Sequence, residues 1–167
     1  TPAVPRKIHC ALAPEILSPE SIAVVGASGD PQKVGHAVFR NLLPFPGRLY
    51  AVNPNRSEVQ GRKAYPSLSA LPEPVHLAVV AVPARLVQGI VEEAGRAGVK
   101  AAIILAGGFS ETGPAGKALE EEVAGIAGRY SLRVLGPNCL GMMRPHKGVN
   151  TTFGPITPRP GGVAFIS

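Results

Sequence analysis

The sequence predicts an α/β fold built on a doubly wound, mostly parallel sheet. Short runs of continuously apolar residues, typical of strands buried on both faces, alternate along the chain with longer amphipathic segments. Most of these apolar runs end close to a glycine, proline or asparagine, which are the residues that punctuate strand exits. With 167 residues, of which 45% are hydrophobic and 17% charged, the chain is long enough for one domain with a substantial core.

The first strand–turn–helix unit lies at residues 21–43, which read SIAVVGASGDPQKVGHAVFRNLL. Residues 22–25 predict a buried strand that runs directly into a turn beginning at Gly26. Apolar residues at helical spacing predict the helix that follows; they are Val34, Ala37, Val38, Leu42 and Phe45. The N-terminus of this helix therefore faces the turn.

The turn at residues 26–33, GASGDPQK, is a candidate anion site. Backbone N–H groups and the positive end of the helix dipole attract negative charge at such a place. Ser28 and Lys33 add a hydroxyl group and a cation to the same turn. These two side chains favour an anion site over the alternative that Gly26 and Gly29 only permit a tight turn.

Strands and helices continue to alternate after this unit. We expect further strands at residues 48–52, 62–65, 75–82, 99–105 and 132–135, and helices at about 86–98 and 114–130. Such alternation predicts a parallel sheet with right-handed crossovers and helices on both faces, which is a Rossmann-like domain.

The predicted domain occupies residues 21–140. Residues 1–20 contain four prolines and are expected to form an irregular lead-in, with a short helical turn around 13–17. Residues 141–162 show neither a helical nor a strand period, so we expect an irregular, proline-rich connection there. The terminal GGVAFIS resembles the first strand of a following domain, so residues 141–167 are interpreted as a linker and that strand.

Charge and composition exclude some classes of partner. The net charge is +6, and five Lys or Arg residues but no acidic residue follow Glu122. The basic residues are scattered singly and only 5% of residues are aromatic, so we expect no nucleic-acid binding. A polyanionic small molecule or a partner subunit fits this charge pattern better.

Several other functions find no support in the sequence. No apolar run approaches the roughly 20 residues of a membrane helix, and the N-terminal residues lack a secretory segment, so we expect an intracellular, cytoplasmic protein without membrane contact. Cys10 and Cys139 are expected to be reduced, and the Cys and His residues have no metal-ligand spacing.

The predicted ligand site lies where the strands end. Ligands of doubly wound sheets bind at the carboxyl ends of the strands, where the strand order reverses. The segments that follow the strands, GASGDPQK, NPNR, VPA, AGGF and GPNCLG, are rich in Gly, Pro or Asn. Each of the last three alone is typical of an ordinary strand exit, but together at one edge they indicate a binding crevice.

The end of the second strand distinguishes between nucleotide ligands. The first turn is not G-x-G-x-x-G, and NAD-binding folds place an acidic side chain after the second strand to bind the ribose. This chain has Asn53 there, with Arg56 just beyond and no carboxylate before Glu58. NADP or CoA, each with a phosphorylated adenosine ribose, therefore fits better than NAD.

The ordered motifs resemble those of one family. The run SIAVVGASGDPQKVGHAVFRNL, followed by VNPN, VPA, AGGF and GPNCLG, resembles the CoA-binding domain of NDP-forming acyl-CoA synthetases, over residues 12–167. ADP-forming acetate–CoA ligases belong to that family, and succinyl-CoA synthetase is a more distant member. The reaction implied is the formation of acyl-CoA from a carboxylic acid, CoA and a nucleoside triphosphate.

The resemblance implies that CoA lies across the strand ends. Residues 26–33 would meet its phosphates and residues 53–56 its adenosine end, while residues 82–84 would flank the nucleotide and pantetheine. Residues 106–109 and 136–140 would stand near the thiol. The CoA contacts so implied are Gly26, Ala27, Ser28, Gly29, Lys33, Val34, Asn53, Pro54, Asn55, Arg56, Val82, Pro83, Ala84, Gly107, Gly108, Phe109, Pro137, Asn138 and Cys139.

No catalytic residue is expected in this chain. The family reaction proceeds through an acyl phosphate and a phosphorylated histidine, and none of His9, His36, His76 and His146 resembles that histidine. ATP and Mg²⁺ are expected only in other domains or partner subunits, and the full-length protein is expected to be oligomeric. Cys139 has no evident base nearby and is interpreted as a packing thiol rather than a nucleophile.

Two alternatives remain at this point. The same CoA-binding module could serve a protein lysine acetyltransferase or a stand-alone CoA-binding protein. A redox-sensing NAD(P)-binding regulator could also use this fold, and the missing acidic residue counts against NAD more than against NADP.

Overall fold

The computed structural model describes residues 14–165 and confirms the predicted α/β fold. The helices are α1 (Pro14–Leu17), α2 (Val34–Leu42), α3 (Ala84–Arg96) and α4 (Pro114–Arg129), with 3-10 turns at Ser110–Thr112 and Pro145–Lys147. The strands are β1 (Ser21–Val25), β2 (Arg48–Val52), β3 (Glu58–Val59), β4 (Arg62–Tyr65), β5 (Leu77–Val80), β6 (Ala101–Ile104), β7 (Arg133–Leu135), β8 (Met143–Arg144) and β9 (Val149–Asn150).

Seven strands form one sheet in the order β3-β4-β2-β1-β5-β6-β7. All neighbours pair in parallel except β3 with β4, which are antiparallel. The chain leaves β1 toward β2 and later returns to pair β5 with the other side of β1. The strand order therefore reverses at β1, and the loops after β1 and β5 flank the switch point.

The core lies on both faces of this sheet, as expected for helices on both sides. One face packs α1 and α2 against the strands through Ile16, Phe39 and Leu42, all at most 2% exposed. The other face packs α3 and α4 through residues such as Val91 and Val123. β1, β5 and β6 are buried along their whole length, which explains their uninterrupted apolar sequences.

Sequence periodicity missed one strand of the sheet and overestimated the length of others. The expected strands at 75–82 and 99–105 are observed at the shorter ranges Leu77–Val80 and Ala101–Ile104, because flanking residues such as Val75, Val99 and Leu105 are apolar through burial in the core. β3 was not predicted, since two residues of a hairpin carry no period. The expected turn at 13–17 is observed from Pro14, and Ala13 lies outside the described residues.

The prediction of an irregular segment at 141–162 is wrong for its first part. β8 and β9 form an antiparallel pair, and Val149 joins the core beneath α2. Asn150, Thr151 and Thr152 are buried through side-chain hydrogen bonds, which leave no hydrophobic period in the sequence. Residues 162–165 form no strand here, so a terminal strand against a following domain stays a prediction.

The Asn41 side chain of α2 connects residues 152–154 to the domain through two hydrogen bonds. Its Nδ2 donates to the carbonyl oxygens of Thr152, at 2.9 Å, and Gly154, at 2.8 Å.

None of the helices between residues 14 and 165 has the length and hydrophobicity of a membrane-spanning segment.

Candidate functional site

The loops expected at the ligand edge do gather at the carboxyl edge of the sheet. The loop after β1 lies directly against the loop after β5. The two backbones are so close that a Cβ added at Gly26 would lie 2.5 Å from the carbonyl oxygen of Ala81. The loops after β6 and β7 are joined by a hydrogen bond from the backbone N–H of Asn138 to Ala106, at 2.9 Å. Neighbouring exits thus contact one another pairwise, as the parallel register requires.

The turn after β1 packs closely against the start of α2. A Cβ added at Gly35 would lie 1.9 Å from the carbonyl oxygen of Gly26, so only glycine lets the helix approach the turn this closely. Gly26 itself has a φ of +88°, which a residue with a side chain rarely adopts. The two glycines together bring the helix N-terminus onto the turn.

Five backbone N–H groups of this unit have no protein acceptor within residues 14–165. They belong to Ala27, Ser28 and Gly29 in the turn and to Val34 and Gly35 at the start of α2. Unpaired N–H groups at a helix N-terminus, together with the helix dipole, are the usual protein ligands of a phosphate group. The turn can therefore bind an anion through its backbone.

The side chains of the turn add to this capacity. Lys33 occupies the N-cap position of α2 with an extended backbone, is exposed and makes no side-chain capping bond. Ser28 is 7% exposed, and its Oγ accepts from the N–H of Asp30 at 3.0 Å, which leaves its hydroxyl proton available. The Asp30 carboxylate accepts from the Gln32 N–H at 3.0 Å and is exposed.

Asn53 holds the turn from the end of β2. Its Nδ2 donates to the Ala27 carbonyl at 2.8 Å, and its Oδ1 accepts from the Asn55 N–H at 2.9 Å. The Asn53 amide was expected to stand beside the ribose, whereas here it braces the turn after β1. The exposed Pro54, Asn55 and Arg56 remain free to meet a ligand at this corner.

The exits of β5 and β6 lie against each other at Ala84 and Gly108. A Cβ added at Gly108, whose φ is +104°, would lie 3.1 Å from the Cβ of Ala84. Val82 and Pro83 are at least partly exposed, as a ligand-flanking position requires. The Phe109 side chain, expected near the thiol, is instead 0% exposed in the core against α3 and α4, so only its backbone could contact a ligand.

Glu111 is a charged group at this edge that the sequence analysis did not single out. Its carboxylate accepts a hydrogen bond from the backbone N–H of Gly108, which is the main reason that its pKa is lowered. A Cβ at Gly107 would lie 3.2 Å from both the Glu111 Oε1 and the Asn138 Oδ1. The exit of β6 therefore already holds one negative charge of its own.

Cys139 lies partly buried in the exit of β7. Its Sγ donates to the carbonyl oxygen of Ile104 at 3.4 Å, and burial raises the pKa of the thiol. A raised pKa disfavours the thiolate, which is the nucleophilic form. Both observations agree with a packing thiol. Cys10 lies outside the described residues.

The described histidines lie in structural hydrogen bonds or at the surface. His76 Nδ1 accepts from the Glu20 N–H at 3.2 Å, and His146 Nε2 lies 3.1 Å from the Gly161 carbonyl oxygen. His36 lies on α2 beside Gln60. Among residues 14–165, no cluster of three or more His, Cys, Asp or Glu side chains is placed to hold a metal ion.

A cavity of about 640 Å³ lies mainly beyond the edge strand β7. It runs between α4, β7 and Ile16 of α1 and reaches the carboxyl edge at Ser110, Gly136 and Pro137. It contains none of the residues at the exits of β1, β2 and β5, so it is separate from the turn after β1.

Comparison with known proteins identifies the family of this fold and edge. The sequence model of the family described as CoA binding domain matches residues 20–145. The alpha subunit of acetate–CoA ligase (ADP-forming) II from Pyrococcus furiosus is 46% identical over 151 residues, covering 90% of this chain and 33% of the relative. Acetate–CoA ligase (ADP-forming) I from Archaeoglobus fulgidus is 44% identical over 149 residues, covering 89% and 22% respectively.

A solved structure agrees with these sequence relatives. The dinucleotide-forming acetyl-coenzyme A synthetase 1 of Candidatus Korarchaeum cryptofilum, in complex with phosphate and ADP, matches with a TM-score of 0.82 at 44% identity. The match covers 85% of this chain and 31% of that chain. The chain thus spans about a fifth to a third of the length of these relatives. Since the family model covers most of its residues, the chain belongs to the family of CoA-binding domains.

Proposed function

We propose that this chain binds CoA across the carboxyl edge of its sheet and serves as the CoA-binding part of an ADP-forming acid–CoA ligase. The single observation that carries the proposal is the set of five unpaired N–H groups, among residues 14–165, on the turn after β1 and the first turn of α2. CoA carries a pyrophosphate that such a set binds, and the family of CoA-binding domains supplies the identity of the ligand.

The proposed orientation follows from which exits are open. The pyrophosphate lies on residues 26–35 with Lys33 beside it, and the adenosine end reaches Pro54–Arg56, where Arg56 is exposed to meet the ribose phosphate. The pantetheine arm runs past residues 82–84. The thiol then lies near residues 107–109 and 137–139, where Phe109 contributes its backbone alone.

The chemical steps belong to other parts of the ligase in this proposal. An acyl phosphate, a phosphorylated histidine, ATP and Mg²⁺ need a nucleotide site and a phosphate-carrying group, and the described histidines serve other contacts. Domains or a subunit beyond these residues would supply them, since the relatives are about three to four times as long as this chain. We place the assembled, oligomeric ligase in the cytoplasm.

Calorimetric titration with CoA, dephospho-CoA and NAD tests the proposal. We expect CoA to bind tightest, dephospho-CoA to bind more weakly because it lacks the phosphate facing Arg56, and NAD to bind weakest. If NAD binds as well as CoA, the chain is an NAD-binding regulator and the proposal is wrong. If dephospho-CoA matches CoA, the adenosine end does not lie at Arg56.

A turnover assay tests whether thioester formation requires domains or subunits other than this chain. The chain, incubated with CoA, acetate, ATP and Mg²⁺, should form no thioester above background, while binding CoA in the same buffer. Thioester formation without a partner protein would contradict this and would mean that these residues contain a complete active site.

A further inference from the structure

The hairpin between β3 and β4 carries a glutamine in an unusual backbone conformation. Val59 pairs with Arg62, so Gln60 and Gly61 form a two-residue loop, with φ values of +49° and +76°. This loop type requires positive φ at both positions, which asparagine and glycine adopt more readily than glutamine. Local turn chemistry therefore does not explain the choice of glutamine at position 60.

The side chain of Gln60 reaches two segments of the candidate site. Its Nε2 donates to the carbonyl oxygen of Ser28 at 2.9 Å and to the carbonyl oxygen of His36 at 3.1 Å. Ser28 lies in the turn after β1, and His36 lies in the first turn of α2. Since only the NH₂ end of the amide can face two carbonyl oxygens, these contacts determine its orientation.

These bonds determine the direction of the turn's N–H groups. In a trans peptide the carbonyl of one residue and the N–H of the next point in opposite directions. Gln60 holds the Ser28 carbonyl, so the N–H of Gly29 is directed away from it. Asn53 holds the Ala27 carbonyl at 2.8 Å in the same way and directs the N–H of Ser28. Both N–H groups are among the five of this unit without a protein acceptor within residues 14–165.

We propose that Gln60 is a positioning residue of the CoA site, which holds the turn after β1 against α2 with the N–H groups of Ser28 and Gly29 aimed at the pyrophosphate. It touches two backbone carbonyls of the site and acts on the ligand only through them. The inference rests on the proposed function, because it assumes that CoA phosphate is the anion bound there.

The decisive variant is Gln60→Asn. If residue 60 serves only the conformation of the hairpin loop, asparagine should leave CoA binding unchanged. If residue 60 positions the turn after β1, asparagine should weaken CoA binding. Asparagine suits the positive φ of the loop but is one methylene shorter and cannot reach both carbonyls. We expect its unfolding temperature to equal or exceed that of the wild type, while its dissociation constant for CoA rises about tenfold. Calorimetric titration and thermal unfolding measure the two quantities.

Two further variants complete the experiment. Gln60→Met keeps the length of the side chain without its donors and should weaken CoA binding as Gln60→Asn does. Gln88→Ala, an exposed glutamine on α3, should bind CoA as the wild type does. Wild-type affinity in both position-60 variants would overturn the positioning role while leaving CoA binding intact. If the wild-type chain itself fails to bind CoA, the proposed function and this inference both fall.

Amide hydrogen exchange distinguishes a positioning role of Gln60 from a merely structural one. CoA should slow exchange of the Ser28 and Gly29 N–H groups in the wild type, and slow it less in Gln60→Asn at saturating CoA. Equal protection of both amides in the two proteins would contradict the proposal.

Discussion

The two edges of the central sheet are built from the same strands but in opposite ways. At the amino edge, neighbouring strand starts are joined by hydrogen bonds, including His76 N–H to Ser21 Oγ at 3.0 Å and Arg48 N–H to the Glu20 carbonyl at 3.0 Å. Glu73 accepts from Tyr50 at 2.6 Å and pairs with Arg48. At the carboxyl edge, the turn after β1 and the start of α2 leave five N–H groups without a protein acceptor within residues 14–165.

This difference separates stability from binding. The amino edge uses its polar groups on one another, so substitutions there should lower stability and leave ligand affinity unchanged. The carboxyl edge braces its carbonyls with side-chain amides and keeps donors available, so substitutions there should chiefly affect affinity. The four predictions below test this separation, in order of decreasing expected effect.

Gly35→Ala should have the largest effect, because it should lower both the affinity for CoA and the stability of the fold. The new methyl group would meet the carbonyl oxygen of Gly26 at 1.9 Å and force α2 away from the turn. We expect CoA affinity to fall about 100-fold, as phosphate bonds to several N–H groups are lost, and stability to fall by about 1–3 kcal/mol. Calorimetry and denaturant unfolding measure these changes.

Gly89→Ala on α3 is the matched control for Gly35→Ala. A Cβ there meets nothing within 4 Å, and alanine in a helix is more favourable than glycine by roughly 0.5–1 kcal/mol. This control should be slightly stabilised and bind CoA normally. Wild-type affinity in Gly35→Ala would show that the start of α2 does not bind the ligand.

Lys33→Ala should weaken CoA binding about tenfold, since one charge-assisted phosphate contact is lost. The dependence of affinity on salt should also become shallower, while the unfolding temperature stays unchanged because Lys33 is exposed and makes no capping bond. Titrations at several salt concentrations measure both effects. Lys100→Ala, at the amino edge, should leave the affinity unchanged; an equal loss in both variants would indicate only a general charge effect.

Glu73→Gln should lower the unfolding temperature without changing CoA affinity. The hydrogen bond from Tyr50, and secondarily Arg48, lower the pKa of Glu73 below its ordinary 4.5. A depressed folded-state pKa stabilises the protein above the unfolded-state value, and this stabilisation is lost as the pH falls through the folded-state value. The unfolding temperatures of the wild type and Glu73→Gln should therefore converge below about pH 4.5.

Glu121→Gln on α4 is the control for Glu73→Gln, since the Glu121 carboxylate forms no hydrogen bond or ion pair in the part of the chain from 14 to 165. Its unfolding temperature should follow that of the wild type at every pH. A constant difference between the wild type and Glu73→Gln down to pH 3 would show that ionisation of Glu73 does not stabilise the fold.

Cys139→Ser should have the smallest effect, although the residue lies at the carboxyl edge. The thiol bonds to the Ile104 carbonyl, and a hydroxyl group can replace that bond, so CoA affinity should change less than about twofold. Because burial raises its pKa, Cys139 in a Cys10→Ser background should react with iodoacetamide more slowly at pH 8 than an exposed thiol. Rapid alkylation blocked by CoA would instead place Cys139 in the reaction centre.

The sequence predicted those parts of the site that depend on residue types within one short segment. The glycines, Ser28 and Lys33 of residues 26–33 indicated an anion site, and the structure adds the free N–H groups that such a site needs. The structure adds that the Asn53 amide bonds to the turn after β1 and that the Phe109 ring lies in the core. Whether an amide faces a ribose or a neighbouring loop, and whether a ring points into the crevice or the core, depends on contacts that no local pattern encodes.

The sequence by itself determined the alternation of buried strands and amphipathic helices, and with it the edge at which we propose that a ligand binds. Hydrophobic period and turn residues act within a few positions of the chain, so they can be read directly. Only the tertiary structure decided that Gln60 braces a turn 32 residues earlier and that residues 149–152 close the core beneath α2. Those contacts join segments distant in the chain through polar groups, which leave no periodic trace in the sequence.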